Sequence, residues 1–201
     1  MGRILRVAVF LEDIAQKEII CGLIERVAAD KKIAIEIVVL NDQKGASLGT
    51  YYRYLSGLKI GRAIKYDVVV VSVDANCSGY NGKRKLVEKE TGDALGLTPL
   101  VLALPEPHIE CWYLLDCKAL ATVGNIPTPD TPQLGKCKKD VYKKMLRDAF
   151  IAGGIRPRRG GAEYGGDLAK EMDVKLASKR DNSFKKFIED IQSAFKSTVI
   201  S

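Results

Sequence analysis

The sequence predicts an α/β protein with a mainly parallel, four-stranded central sheet flanked by helices and a C-terminal helical extension. Three observations carry this prediction. Short β-branched runs alternate with longer segments of helical periodicity through residues 1–104, the pattern of strand–helix units that build parallel sheets. Val68 to Val71 run without polar interruption, which suits a strand covered on both faces. The apolar runs end in polar or acidic residues, at the strand ends where open α/β sheets gather ligands.

Arg3 to Leu11 is the first predicted strand, and Ile14 to Ala29 is the first helix, with Ile19, Ile20, Leu23, Ile24 and Val27 at helical spacing. Ile33 to Leu40 is the second strand, closed by the polar residues 41–45. Leu48 to Ile64 reads as a helix interrupted by Gly57 and Gly61, carrying Tyr51, Tyr52, Arg53 and Tyr54 as an aromatic-basic cluster. A third strand at 66–73 leads to a polar turn at 78–82, a charged helix at 83–91 and a fourth strand, Pro99 to Leu104. Ile109 to Leu120 then reads as one mostly buried helix. Residues 122–139 hold three of the seven prolines and are expected to form a loop. Val141 to Ala152 is a helix, 153–166 is rich in Gly and Arg, and Ser183 to Ala194 is a final amphipathic helix with Phe184, Phe187, Ile188 and Ile191 on one face. Residues 1–120 are therefore expected as the α/β core, with 121–201 as a loop and helical extension packed on the same domain.

Length and composition narrow the function. A chain of 201 residues suits one well-packed core. With 32 Lys and Arg against 25 Asp and Glu, the net charge of +7 favours polyanions, nucleic acid first among them. Five cysteines without a CxxC pair fit no zinc signature and point to reduced thiols. His108 is the single histidine, which excludes a histidine-based zinc cluster. There is no GxxxxGK[ST] nucleotide loop. The apolar N-terminal stretch is short and runs into Glu12 and Asp13, unlike a signal peptide, and no run of about 18 apolar residues is present to span a bilayer. A cytoplasmic protein is expected.

Acids follow three of the predicted strands: Glu12 and Asp13 after the first, Asp74 with the amide of Asn76 after the third, and Glu110 shortly after the fourth. Such a cluster repels itself without a cation, and magnesium needs only one or two carboxylates beside waters and substrate phosphates. Glu110 sits between Ile109 and Trp112, where an acid is costly to bury unless paired or metal-bound. The competing readings are a helix cap or Asx turn for Asp74 and Asn76, and a salt bridge for Glu110.

Glu12 after a strand, Asp74-Ala75-Asn76 after a run of valines, and the segment PEPHIECWYLLD together resemble the Toprim (topoisomerase-primase) fold. The likeness is to small stand-alone Toprim-like proteins related to the nuclease portion of the OLD family. It spans about residues 4–118 and, more weakly, GGDLAKEMDV and NSFKKFIEDI; the E-x-W of Glu110 and Trp112 is its most specific part. The resemblance implies a Toprim-like fold and a divalent-metal-dependent phosphodiesterase, a nuclease acting on DNA or RNA in defence or repair. It implies Glu12 as general acid or base, Asp74 and Asn76 as holders of Mg2+ or Mn2+, and Glu110 as a second metal site or its support. A partner ATPase or a homo-oligomer goes with that assignment. Asn76 stands where a second aspartate is usual, Asp13 where glycine is common, and Gln16 where some members carry glutamate. An amide keeps an oxygen ligand but removes a charge, so metal affinity should fall. A second reading follows from these departures: a non-catalytic nucleic-acid or protein-binding module with a degenerate metal site.

The densest positive runs are Lys136, Lys138, Lys139, Lys143 and Lys144, and Arg156, Arg158 and Arg159 beside Gly160 and Gly161. Of these, Lys138, Lys139, Arg156, Arg158 and Arg159 are the candidate nucleic-acid contacts, since such side chains neutralise phosphates. The alternative is a solvated charged face. Tyr51, Tyr52 and Tyr54 are candidates for base stacking, or else half-buried helix residues.

Overall fold

Leu5–Phe10 (β1), Ile35–Val39 (β2), Val68–Ser72 (β3) and Leu100–Ala103 (β4) form one sheet in the order β2-β1-β3-β4. The computed structural model describes residues 3–40, 47–129 and 140–200. Every pairing is parallel, with Leu5 opposite Ile35, Val7 opposite Val68 and Val69 opposite Leu100, so the sheet is parallel throughout rather than mainly so. Parallel neighbours require crossovers. These are α1 (Ile14–Asp30), α2 (Ser47–Lys59) and α3 (Gly79–Thr91). From β1 the chain steps outward to β2, then returns past β1 to β3 and β4. The direction of winding therefore reverses between β1 and β3, which opens a crevice at their carboxyl ends.

The valine run of β3 is explained by its surroundings. Val68 and Val70 join Val7 and Val9 in a core shared with α1 and the C-terminal helices. Val69 and Val71 join Ala8 and Phe10 in a second core under α2 and α3. With both faces covered, alternation of apolar and polar residues would bury polar groups. Tyr51 belongs to this second core: it is fully buried, its hydroxyl lies 2.7 Å from Thr91 Oγ1, and its ring meets Phe10 edge-on at 5.2 Å. It packs the sheet and is closed to a nucleic-acid base.

The stretch expected as one helix over 109–120 is two, α4 (Glu110–Tyr113) and α5 (Cys117–Gly124). The break is made by Asp116, whose carboxylate accepts the amides of Lys118 and Ala119 and so starts a new helix. Beyond α6 (Val141–Ala152), the structure adds two helices that the sequence reading lacked, α7 (Gly165–Glu171) and α8 (Val174–Arg180), before α9 (Asn182–Ile200). Each has seven residues, too few turns for a periodic pattern to stand out.

These late helices complete the core. Trp112 is fully buried, stacks on Phe187, meets Phe184 edge-on and donates its Nε1–H to Ser183 Oγ at 3.1 Å. Helix α7 lies against α1 closely enough that a Cβ on Gly165 would fall 2.4 Å from the Tyr113 hydroxyl and 2.7 Å from the Ile19 amide. That hydroxyl sits 2.8 Å from the Ala15 carbonyl and 3.0 Å from the Ala162 carbonyl, joining the first turn of α1 to the start of the C-terminal layer. No helix among the described residues is long and apolar enough to cross a membrane.

Candidate functional site

The carboxyl ends of β1 and β3 bring Glu12 and Asp74 together. As β1 ends, Asp13 caps α1 by accepting the Gln16 amide at 2.9 Å. That cap turns Gln16, which is 1% exposed, back under the strand end. Its Oε1 accepts the Glu12 amide at 2.9 Å and its Nε2 donates to Asp74 Oδ1 at 3.2 Å. Glu12 in turn reaches across, its Oε2 accepting the Asp74 amide at 3.1 Å.

The segments that follow β3 and β4 run side by side: the Ala75 and Asn76 amides donate to the Pro105 and Pro107 carbonyls, each at 2.9 Å. This pairing carries His108 and Glu110 to the same rim. Asp74 Oδ1 accepts the Ile109 amide at 3.0 Å, and Oδ2 lies 3.2 Å from His108 Nδ1. Asp74 thus spends its oxygens across the rim rather than on a cap of the next helix. Asn76, at a positive φ of 52° that asparagine tolerates, donates its side-chain amide to the Asp74 carbonyl at 3.2 Å. Glu110 makes no salt bridge among the described residues.

The electrostatics follow from this crowding. Burial pushes the Asp74 carboxyl up from 3.8 to about 7; the His108 contact opposes that rise, while the charges of Glu12 and Glu110 add to it. Glu110 is also raised, by burial first, against its own main-chain hydrogen bond, with Asp13 adding repulsion and His108 and Lys143 relieving it. Asp74 and Glu110 therefore hold their protons more readily than free carboxyls do.

A hollow of about 260 Å3 is lined by Asp74, Asn76, His108, Glu110, Asp140, Tyr142 and Lys143. It adjoins a larger cleft of about 660 Å3, with which it shares Glu110, Asp140 and Lys143. The larger cleft passes the first turn of α1 at Asp13 and Ile14, and its walls carry Lys143, Lys144 and Arg147 from α6 and Arg158 and Arg159 from the following loop. Arg156 is exposed but does not line it, and Lys138 and Lys139 lie outside the described residues. The cations of α6 were readable in principle: Tyr142, Leu146 and Phe150 are the buried stripe, which turns 143, 144 and 147 outward. Gln16 is marked in the sequence only as the position where some Toprim-like proteins carry glutamate, and His108 only as the single histidine, because their roles depend on which strand ends meet.

The donor set suits a hard cation in kind. Glu12, Asp74 and Glu110 offer carboxylate oxygens, and Asn76 an amide oxygen. Among the described residues no three of His, Cys, Asp or Glu gather tightly enough to enclose a metal. Magnesium does not require enclosure, since waters and substrate phosphates fill most of its octahedron. Asp74 Oδ2, in contact with His108 Nδ1, keeps a lone pair for such an ion.

Comparison with protein-family models, with curated proteins and with solved structures finds no significant match to this chain.

Proposed function

We propose that this chain is a Toprim-like, divalent-metal-dependent phosphodiesterase, a nuclease acting on DNA or RNA. The observation that carries the reading is one continuous surface: Asp74 and Glu110 line a hollow that shares Glu110 and Lys143 with a cleft walled by five cations, and Glu12, which lines neither, accepts the Asp74 amide at the hollow's edge. A polyanionic strand lying in that cleft brings a phosphate to the acids. The fold resemblance supplies the reaction class, and the site residues supply the roles.

In this reading Asp74, Asn76 and Glu110 hold Mg2+ or Mn2+, which when bound supplies Lewis-acid polarisation of the phosphoryl oxygen and a more acidic attacking water. Glu12 is the proton-transfer group, a role worth about 10²-fold to 10⁴-fold. Gln16 keeps Glu12 and Asp74 in register through its two contacts. Lys143, beside Glu110, and Lys144 and Arg147 along the same helix neutralise the phosphates flanking the reacting one.

Cleavage of labelled single- and double-stranded DNA and RNA with Mg2+ or Mn2+ tests the reading. Glu12→Ala and Asp74→Ala should abolish the activity; unchanged activity in both variants rejects the assignment. A second reading, a non-catalytic module, draws on a specific observation: the Asp74 oxygens already take contacts from Gln16, Ile109 and His108. Calorimetry that detects no Mg2+ or Mn2+ binding at millimolar concentration, with nucleic-acid affinity that still falls steeply with salt, would favour it.

A further inference from the structure

Glu163 is the one acid of the arginine-bearing loop region whose charge is consumed by main chain. Its carboxylate accepts the amide of Arg158 at 2.6 Å, that of Arg159 at 3.1 and 3.3 Å, and that of Gly161 at 3.1 Å. Burial works against its charge, and the main-chain hydrogen bonds outweigh that, holding its carboxyl below the ordinary value. Successive amides turned toward one anion form a concave nest. Here the anion is the chain's own.

The loop so gathered is also docked. Gly160 and Gly161 take positive φ values of 67° and 98°, and a Cβ on Gly161 would meet the Phe150 ring at 2.7 Å and Leu146 at 3.0 Å. Phe150 itself stacks on Tyr164 at 4.5 Å between centroids. Leu146 and Phe150 belong to α6, whose other face bears Lys143, Lys144 and Arg147. The nest therefore ties the two cationic walls of the cleft to one another. Among the described residues the Arg158 and Arg159 guanidinium groups form no ion pair, because the nearby acid is occupied by their own amides. Both side chains are exposed and line the cleft. No aromatic residue among the described ones lines it, and Tyr142 of the adjoining hollow is buried, so base stacking has no platform there and recognition falls to phosphates.

We propose that Glu163 is a positioning residue that clasps the main chain of Arg158 to Gly161, fixing Arg158 and Arg159 as one wall of a cleft that grips a phosphodiester backbone by charge, without reading bases. This inference deepens the nuclease reading and rests on it for the identity of the ligand. Glu163 touches no phosphate itself. Its effect passes through the two arginines.

The probe is a fluorescein-labelled single-stranded oligonucleotide in EDTA, titrated at several salt concentrations. With five cations engaged, log affinity should fall with log salt at a slope of up to about −3.5, at ~0.7 per phosphate on a single strand. Glu163→Ala should weaken binding on the order of tenfold and bring the slope toward about −2, as two contacts drop out. Glu163→Gln, which keeps the shape and one acceptor oxygen, should fall between the two proteins. Arg158→Ala/Arg159→Ala should match Glu163→Ala, and adding Glu163→Ala to that pair should change nothing further. Hydrogen exchange at the amides of 158, 159 and 161 should quicken in Glu163→Ala while the amides of α1 stay protected, which separates loss of the clasp from loss of the fold. Wild-type affinity and slope in Glu163→Ala, or a triple variant weaker than the arginine pair, overturns the proposal. So does a wild-type protein that binds the oligonucleotide without salt dependence. Failure of the nuclease reading is read separately, from cleavage by the wild type and by Glu12→Ala under Mg2+.

Discussion

Replacing Asp74 by asparagine should stabilise the metal-free protein at pH 8. The carboxyl ordinarily titrates at 3.8 and is pushed up to about 7 in the folded chain. Each pH unit between those values is worth about 1.4 kcal/mol, which sets a ceiling of about 4 kcal/mol. The sign runs against the folded state. Below pH 4 the group is protonated folded or unfolded and costs nothing. Between pH 4 and 7 the unfolded chain releases a proton that the folded chain retains, so stability falls as pH rises, and above pH 7 the cost levels off. Water reaches the side chain, which is 19% exposed, so about 2 kcal/mol is the expected measured gain. Asparagine fits the contacts: its oxygen accepts from Gln16 Nε2 and the Ile109 amide, and its amide group faces His108 Nδ1. Urea and thermal unfolding at pH 8, in EDTA, and at pH 3 measure it. The variant should melt about 4–8 °C above wild type at pH 8 and level with it at pH 3. Millimolar Mg2+ should raise the wild type and leave Asp74→Asn unmoved. A variant less stable at pH 8, or an advantage independent of pH, would refute the argument that burial, with the neighbouring acids, makes the Asp74 charge costly.

Other outcomes are as specific. Glu12→Gln should lower the cleavage rate by about 10²-fold to 10⁴-fold, with unfolding by urea little changed. Gly165→Ala should cost about 1–3 kcal/mol, read from urea midpoints, because its Cβ would press on the Tyr113 hydroxyl and the Ile19 amide. Ser183→Ala should cost about 1–2 kcal/mol by leaving the buried Trp112 Nε1–H without its acceptor, and Trp112→Phe in that background should recover part of the loss.

The sheet was readable because residues 5–10, 35–39, 68–72 and 100–103 are mostly apolar for a local reason: each strand is covered on at least one face, and β-branched residues satisfy that directly. Glu12, Asp74 and Glu110 could be named as neighbours because parallel winding forces strand ends to a common rim. Part of what escaped depends on contacts made at long range. Asp116 looked like one more residue of a helix; its cap on Lys118 and Ala119 is local, but its second oxygen is held by the Asp173 amide, at 2.8 Å, from 57 positions away. The same holds for Gln16, whose amide is defined by two strand ends at once. Tyr51 stayed open between the two readings because an aromatic residue among arginine and tyrosines has the same local appearance on a binding face and in a core.

The placement of Trp112 and Tyr113 has a practical corollary. Two residues after the acid of the rim, the indole already depends on Phe184, Phe187 and Ser183, and the phenol on the carbonyl of Ala162. A fragment cut near residue 120 would leave both rings bare and the short helix under Glu110 without a floor. Shortening the protein from its far end should therefore blunt the pocket chemistry long before any pocket residue is removed.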